Sequence, residues 1–270
     1  MPIVSIDKNH KIFNSKEYLK DIVPFNLLEL IKEFPTLLES DEKDFIIGMI
    51  SPEAPIWVWT SDLISDTTTI QLAKYFFGKF SGGKSLCYVA KPDIAGILSE
   101  PFREKLNATE KRVGMESFEN PKVIPPKNKD VSIEKPTADD VNDIVVCMAN
   151  YEEECFGEIV SPESLVEQAK QKLANPLFFV IKQNNHVVAT AQSARKTSTH
   201  IAINQVYTMP KYRGKGVASA LVAYISELII KAGKIPALYT DLSNPSSNKA
   251  YKNVGFIEKG KVDEITLTWS

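Results

Sequence analysis

The sequence has few of the residues that build metal sites and disulfide frameworks. Among its 270 residues are three cysteines and three histidines. Cys87, Cys147 and Cys155 lack C-x-x-C spacing, and the scattered histidines form no H-E-x-x-H frame. We therefore predict that the chain holds no metal ion. Unpaired cysteines also favour a reducing compartment, so we expect a cytoplasmic protein.

Long apolar runs and a strong excess of one charge are also missing. No stretch approaches the ~20 apolar residues that cross a bilayer. Residues 1–9 lack the apolar run of a secretory leader. The formal net charge is −2, whereas nucleic-acid binding usually needs a strongly basic face. We therefore expect neither a membrane nor a nucleic acid as a partner.

What remains is ordinary globular composition, with 43% hydrophobic and 24% charged residues. The length accommodates two domains of about 130 residues each. Residues 119–130, ENPKVIPPKNKD, are rich in Pro, Lys and Asn and therefore favour a boundary. We predict a smaller N-terminal α/β domain at 1–120, a linker at 121–130 and a second domain at 131–270.

The first half alternates predicted helices and strands. Residues 15–34 indicate a helix in two pieces that is broken near Pro24, and the Pro52–Pro55 turn indicates a hairpin. Asp66 is the predicted cap of the next helix. The remaining elements are predicted as strands at 45–50, 56–60, 86–90 and 113–118, and helices at 66–80 and 92–106.

Residues 78–85, GKFSGGKS, match the nucleotide-binding pattern G-x(4)-G-K-S. A phosphate-binding loop of that kind follows a strand and opens a helix. Here a helix precedes the match and a strand follows it. The glycines are therefore interpreted as a helix stop and a turn, and nucleotide hydrolysis is not favoured.

The second half begins with a predicted strand and two helices. Thr137, followed three residues later by Asp140, indicates the first helix start, and Ser161 with Pro162 indicates the second. The elements that follow are predicted as strands at 177–182, 186–194 and 200–209, a helix at 217–232, a strand at 236–241, a helix at 244–254 and a final strand pair within 258–269.

The stretch 203–221, INQVYTMPKYRGKGVASAL, predicts a strand, a basic glycine-bearing loop and a helix in succession. Gly214 and Gly216 permit a close backbone approach to a ligand. The first N–H groups of a helix have no internal partner, and the helix dipole favours an anion there. The stretch therefore predicts a phosphate-binding turn. The third glycine of the dinucleotide pattern G-x-G-x-x-G is absent.

Two motifs carry a resemblance to a known family. Residues 213–218, RGKGVA with Pro210 upstream, resemble the R-x-x-G-x-A motif of the GCN5-related N-acetyltransferases. Residues 244–256, NPSSNKAYKNVGF, resemble the N-x(6)-Y-x-x-x-G-F ending of that family. Both motifs occur in the family's order, separated by one helix and one strand. The resemblance covers about 131–269.

The resemblance implies an α/β (α+β) fold with a mixed, mostly antiparallel central sheet flanked by helices. It also implies transfer of the acetyl group of acetyl-CoA to a primary amine of a small-molecule or peptide acceptor, directly in a ternary complex. Asn244 would bind the cofactor arm. The other implied cofactor contacts are the backbone of Val206, Tyr207 and Thr208, and the residues Arg213, Gly214, Lys215, Gly216, Val217, Ala218 and Ser219.

Catalytic groups are less completely specified. Tyr251 fits the family's general acid beside the CoA sulfur, although a core tyrosine packed on Phe256 is the alternative. The general base is not given by the resemblance. Positions where relatives carry a glutamate hold Tyr239, Asn204 and Gln205 here. Asp241 is the substitute that we predict. Glu154 or Glu158 could instead bind a substrate ammonium, and simple solvation is the alternative for all three carboxylates. A water relay, or an acceptor amine of lowered pKa, would need none of them.

The first half repeats the strand–helix order of the second. Its junction at 61–66, SDLISD, has no glycine and carries two carboxylates, which would repel a pyrophosphate. We expect either a degenerate acetyltransferase-like copy that binds no CoA or an unrelated α/β domain. A monomer or homodimer is expected. A non-catalytic CoA-binding module and a cofactor-free partner-binding domain are the competing functions.

Overall fold

The computed structural model describes residues 2–128 and 131–270, so the last two residues of the predicted linker lie outside it. Contacts divide the chain into two compact units that are not continuous in sequence. The first comprises Met1–Phe118, Tyr239–Asn244 and Glu258–Ser270; the second comprises Glu119–Leu238 and Pro245–Ile257. It stays a prediction that residues 1–120 and 131–270 are independent domains joined by a linker at 121–130.

Twelve strands and eight α-helices are present in the described part of the chain. In chain order they are β1 Val4–Ser5, α1 Lys16–Lys20, α2 Leu28–Ile31, β2 Leu37–Ser40, β3 Phe45–Met49, β4 Ile56–Thr60, α3 Asp66–Phe80, β5 Ser85–Ala90, α4 Pro92–Leu106, β6 Thr109–Glu119, β7 Ile133–Glu134, α5 Val141–Phe156, α6 Pro162–Lys172, β8 Phe178–Gln183, β9 His186–Lys196, β10 His200–Thr208, α7 Val217–Lys231, β11 Ile235–Asp241, α8 Pro245–Lys252 and β12 Ile257–Thr268.

The first unit is a mixed sheet with a packed core on each face. Strands β1 to β4 pair antiparallel in sequence order, β4 pairs parallel with β5, and β12 pairs antiparallel with β5. One core contains Leu72 and Phe76 of α3 with Leu98 and Phe102 of α4. The other core contains residues of α2 and Trp59. Burial on both faces explains why β3 and β4 are almost wholly apolar.

The second unit is likewise mixed and mostly antiparallel. Strands β7 to β10 pair antiparallel in sequence order, and β10 pairs parallel with β11. Phe178 and Val180 of β8 pack in the core formed with α5 and α6. The intervening Phe179 meets Tyr224 of α7, with ring centroids 5.0 Å apart. Because successive side chains point to opposite faces of a strand, the helices flank this sheet on both sides.

Both units repeat one order of elements. Four antiparallel strands are followed by a helix, a parallel strand and a second helix: β1–β4, α3, β5 and α4 in one unit, and β7–β10, α7, β11 and α8 in the other. The hairpin of β3 and β4 is confirmed, and so is the order of elements predicted for the second half as far as its last helix. Of the two alternatives expected for the first half, the repeat favours the degenerate copy.

The interpretation of residues 78–85 is also confirmed. Gly78 lies inside α3, which ends at Phe80, and β5 begins at Ser85. A helix therefore precedes the loop and a strand follows it, which is the reverse of the order that a phosphate-binding loop needs.

Several local predictions were wrong. The continuous helix pieces expected over 15–34 are only the short α1 and α2, joined by turns. Ser65 rather than Asp66 caps α3, because its Oγ accepts a hydrogen bond from the Thr68 N–H at 3.1 Å. The final strand pair is one long strand, β12, that pairs with β5 in the first unit. The sequence analysis also missed β1 and β2.

Gly48 on β3 is required by close packing. A Cβ at this position would lie 2.7 Å from Leu28 Cδ2 and 3.1 Å from Ile31 Cγ2, both buried on α2. Gly48→Ala is therefore expected to lower the free energy of unfolding by about 1–3 kcal/mol. Urea denaturation measures this change.

Gly78→Ala is the matched control, because nothing lies within 4 Å of its added Cβ. Alanine in a helix interior should stabilise the protein by about 0.5–1 kcal/mol. Equal effects of the two substitutions would contradict the packing argument.

Candidate active site

The two parallel strands β10 and β11 separate partway along their length. Ladder partners run from His200–Ile235 to Ala202–Ala237, and no further pair follows in the part of the chain that the structure describes. On its other edge β10 stays paired with β9 as far as Thr208–Ala189. Backbone N–H and C=O groups on the β11 side of β10, beyond Ala202, are therefore available to a ligand.

A bulge in β10 accompanies this separation. The pairing with β9 shifts register between Ile201 and Ile203 and again between Asn204 and Tyr207. Gln205 adopts a left-handed backbone, with φ of 48°. A non-glycine residue in that region is strained and is held there only by its surroundings. The bulge bends the strand at the residues that sequence analysis assigned to the cofactor arm.

The glycine loop after β10 leads into an uncapped helix start. Gly214 and Gly216 both have left-handed φ values, 74° and 75°. Gly216 is the N-cap of α7, none of the residues that the structure describes caps this helix with a side chain, and its first turn carries no acidic residue. The orphan N–H groups and the positive end of the helix dipole are thus open to an anion.

Side chains around the loop fix its position. Asn128 Nδ2 donates to the Lys215 carbonyl oxygen at 2.8 Å. Ser219 Oγ donates to the Ala250 carbonyl oxygen at 3.1 Å, which ties the start of α7 to α8. Ser219 therefore uses its hydroxyl within the protein, and its backbone N–H remains its contribution to the predicted site.

Arg213 is engaged by a carboxylate in this structure. Its guanidinium donates to both oxygens of Glu154, at 2.9 and 2.6 Å, and its Nε donates to the Thr208 carbonyl oxygen at 2.8 Å. The hydroxyl of Tyr207 donates to the same carboxylate at 2.9 Å. Burial, with Glu154 nearby, raises the pKa of Tyr207 to about 12. Arg213 and Glu154, predicted to have separate roles, are therefore brought together.

Tyr251 lies on α8, next to the residue that accepts the Ser219 bond. Its side chain is 7% exposed and its ring centroid lies 6.0 Å from that of Phe256. Burial raises its pKa to about 12, while a hydrogen bond with Ser247 opposes the rise. Tyr251 thus packs in the core and also carries a phenol that stays protonated at neutral pH.

Asp241 and Asn244 fall in the first unit rather than with the loop and Tyr251. The Ser243 N–H donates to Asp241 Oδ1 at 2.7 Å, and the Asn244 N–H donates to the Asp241 carbonyl oxygen at 3.0 Å. The hydroxyl of Tyr239 donates to the carbonyl oxygens of Val23 and Pro24, at 2.8 and 3.1 Å. The proposed base and cofactor roles of Asp241 and Asn244 stay predictions.

The sequence analysis missed a buried cationic group in the second unit. Lys172, the last residue of α6, is 9% exposed and donates to the side-chain oxygens of Gln192 and Gln205. A usable signal was its helical spacing, since Leu165, Ala169 and Lys172 are the buried residues of α6. A lysine on the apolar stripe of a helix departs from the usual pattern.

The corresponding junction of the first unit is closed. Ser65 caps α3 with its own side chain. Asp62 in the same loop forms ion pairs with Lys20, at 2.7 Å, and with Lys91. Hydrogen bonds from these two lysines lower the pKa of Asp62. At this junction a side chain caps the helix, and both lysines are paired with the Asp62 carboxylate.

Two further classes of site are absent from the described residues. Neither 2–128 nor 131–270 contains a group of three or more His, Cys, Asp or Glu side chains placed to hold a metal ion. Among the same residues, none of the helices has the length and apolarity needed to span a bilayer.

Comparisons with known proteins agree with this geometry. Residues 146–256 match the model of the acetyltransferase (GNAT) family. A comparison with curated protein sequences gave no match. Among solved structures, a GCN5-related N-acetyltransferase from Sphaerobacter thermophilus aligns over 98% of this chain and 94% of its own, with 13% identity and a TM-score of 0.60.

Two more structures give the same result. A GCN5-related N-acetyltransferase from Kribbella flavida aligns over 94% of this chain and 96% of its own, with 13% identity and a TM-score of 0.60. A GNAT-family acetyltransferase from Colwellia psychrerythraea aligns over 100% of both chains, with 10% identity and a TM-score of 0.58. At these identities the likeness concerns the fold, and it covers both halves of the chain.

The fold is therefore that of the GNAT acetyltransferases, an α/β architecture with a mixed sheet flanked by helices. Residues 146–256 form a domain of the GNAT family. Acyl transfer is accordingly the general activity that this domain supports.

Proposed function

We propose that the protein transfers the acetyl group of acetyl-CoA to a primary amine of a small-molecule or peptide acceptor, directly in a ternary complex. The observation that carries this proposal is the separation of β10 from β11 next to an uncapped, glycine-preceded helix start. An extended chain with amide groups pairs with a free strand edge, and a diphosphate suits helix N–H groups. The pantetheine arm and pyrophosphate of CoA combine these two features.

The backbone of the loop would provide most of the contacts to the pyrophosphate. N–H groups from Gly214 to Ser219 would bind the phosphate oxygens, and the basic residues Arg213 and Lys215 would add positive charge. Occupation by CoA would make Arg213 exchange Glu154 for phosphate. Because the side chains of Arg213 and Glu154 are 45% and 40% exposed, that ion pair contributes little to stability and the exchange costs little.

The strand edge would position the reacting group. Backbone groups of Val206, Tyr207 and Thr208 would pair with the pantetheine arm, and an N–H in this segment would polarise the thioester carbonyl. Holding the thioester beside the amine supplies much of the rate acceleration in reactions of this type.

Tyr251 would stabilise the departing thiolate. With its pKa near 12, complete proton transfer to a thiolate whose thiol has a pKa of ~8.5 would cost about 5 kcal/mol. A hydrogen bond from the phenol to the sulfur is therefore the more favourable contribution, and the proton reaches the sulfur from solvent afterwards.

The function is tested by two measurements on the full chain. Isothermal titration with CoA measures binding, and thiol release from acetyl-CoA is followed over a panel of amino acids, polyamines, aminoglycosides and peptides with free N-termini. We expect binding together with turnover of at least one amine. Binding without turnover would favour a non-catalytic CoA sensor, whose support is the absence of a carboxylate at 204 and 205 on β10. No binding would favour a cofactor-free partner domain.

Gly214 allows a matched test of the pyrophosphate position. Its added Cβ meets nothing within 4 Å, and both Asn and Asp tolerate a left-handed backbone. Gly214→Asp is expected to weaken CoA binding by about tenfold or more relative to Gly214→Asn, because only Asp adds a negative charge beside the phosphates. Titration calorimetry measures both affinities. Equal affinities of the two variants would place the pyrophosphate elsewhere.

Tyr251→Phe separates binding from catalysis. The substitution removes the donor and keeps the packing on Phe256, so kcat is expected to fall by about 10²-fold while the Kd of CoA changes less than about twofold. Steady-state kinetics on the amine identified by the panel measures kcat. An unchanged kcat would leave Tyr251 as a core residue only.

A further inference from the structure

Acetyl transfer from CoA to an amine requires a group that removes a proton from the acceptor ammonium. The inference below rests on the proposed function and concerns that group. On β10 the residues at the bulge, Asn204 and Gln205, carry amides that accept no proton at neutral pH. The nearby Glu154 carboxylate accepts hydrogen bonds from Arg213 and Tyr207, and it would keep the Tyr207 bond when Arg213 turns to phosphate. Another side chain on the α5–α6 face of this sheet would therefore have to accept the proton.

Lys172 is held against the bulge by two amide oxygens. Its Nζ donates to Gln192 Oε1 at 3.2 Å and also to Gln205 Oε1. Gln192 Nε2 donates to the same Gln205 oxygen at 2.8 Å, so the three side chains form one network. Gln205, the residue with the left-handed backbone, thus accepts from both other side chains.

The environment of Lys172 disfavours its charged form. In the described part of the chain, no carboxylate oxygen lies within ion-pair distance of its Nζ. A buried ammonium without a counter-charge is costly, and the amine then loses its proton more readily. A neutral amine has two N–H bonds, and the two glutamine oxygens accept both. Its lone pair is left for another partner.

Lys172 also lines a small cavity next to the strand proposed to bind the thioester. The cavity wall includes Lys172, Gln205 and Tyr207 together with Cys147 and Tyr151 of α5, and apolar side chains make up most of the rest. It has room for one water molecule at most. Tyr207 belongs to the segment 206–208, so the cavity adjoins the part of β10 that is proposed to bind the thioester.

Four titratable groups face Lys172, and three of them carry no charge at neutral pH. Burial lowers the pKa of Lys172, and the Glu152 carboxylate opposes this change. Burial raises the pKa of Cys147 to about 12 and that of Tyr207 to about 12, and it also raises the pKa of Tyr151. These three groups are uncharged at neutral pH, so Glu152 is the acidic group that acts on the lysine.

We propose that the Lys172 amine is the general base that deprotonates the acceptor ammonium. Its lone pair takes one N–H proton from the acceptor. The freed nitrogen pair then forms the C–N bond at the thioester carbonyl carbon as the C–S bond breaks, and the electron pair of that bond leaves on sulfur as a thiolate. The acylated nitrogen gives its second proton to water, which leaves the neutral amide. Lys172 returns its extra proton to water before the next cycle.

Three variants distinguish a base from a structural tie that fixes the bulge. Lys172→Met removes the amine and keeps an unbranched apolar stem. Lys172→Arg keeps donors and positive charge but does not deprotonate in proteins. Lys170→Met is the control on the same helix, because the Lys170 side chain is 55% exposed and forms a surface ion pair with Glu167.

Kinetics on the amine identified by the panel gives the first readout. Lys172→Met and Lys172→Arg are both expected to lower kcat by about 10²-fold or more, with the KM of acetyl-CoA changed less than about threefold. Lys170→Met should match the unmodified protein. A structural tie would instead be rescued by Lys172→Arg, and that rescue would overturn the proposal.

The pH profile gives a readout that a structural role does not move. Gln205→Glu places a carboxylate beside Nζ, which raises the pKa of Lys172. The base is then formed only at higher pH, so the acidic limb of the kcat/KM profile should shift to higher pH. If the acidic limb does not move in Gln205→Glu, the proposal is contradicted. The proposal is also contradicted if Asp241→Asn loses the acidic limb while Lys172→Met keeps it.

A direct titration covers the case in which a Lys172 variant unfolds. The ¹³Cε resonance of Lys172 in the unmodified protein should titrate below the ordinary lysine value of ~10.4, and titration at or above that value overturns the proposal. Absence of turnover with every amine would refute the proposed function. Turnover that persists unchanged in Lys172→Met would refute only the role of Lys172.

Discussion

The site depends on one unmet requirement of the backbone. Parallel strands β10 and β11 are paired as far as Ala202 and Ala237, and within the described residues no further pair joins them. Buried backbone polar groups need partners, and we therefore propose that this separation receives a ligand chain. A bulge with Gln205 at a φ of 48° lies at the same part of β10.

The repeat within the chain shows what a closed version of such a site looks like. At the strand–helix junction of the first unit, Ser65 caps α3 and Asp62 pairs with two lysines. At the junction of the second unit, glycine replaces the capping side chain and the first turn of α7 has no acid. We propose that one architecture carries an anion site or excludes it through two or three residues at the helix start.

Sequence patterns predicted the parts of this protein that depend on local chemistry. The glycines at 214 and 216, the apolar stripe of α7 and the spacing from Asn244 to Tyr251 are short-range signals, and they placed the strand, loop and helices correctly. The destination of β12 was not predictable, because an alternating strand carries no information about which partner it pairs with. The pairing of Arg213 with Glu154 was missed for the same reason, since the two residues lie 59 positions apart.

Lys172 illustrates an intermediate case. Its place on the buried stripe of α6 was visible in the sequence, but its partners come from β9 and the bulge of β10. Only the fold shows that amide oxygens rather than carboxylates surround it. The sequence therefore indicated an unusual lysine without indicating what makes it chemically unusual.

The central claim is that CoA occupies the separated edge of β10 and the start of α7. Residue-resolved amide hydrogen exchange of the full chain, with and without CoA, tests this claim most directly. The account predicts slower exchange for N–H groups within 206–208 and 214–219, and unchanged exchange at 61–68. Slower exchange at the start of α3, or no change at either junction, would contradict it.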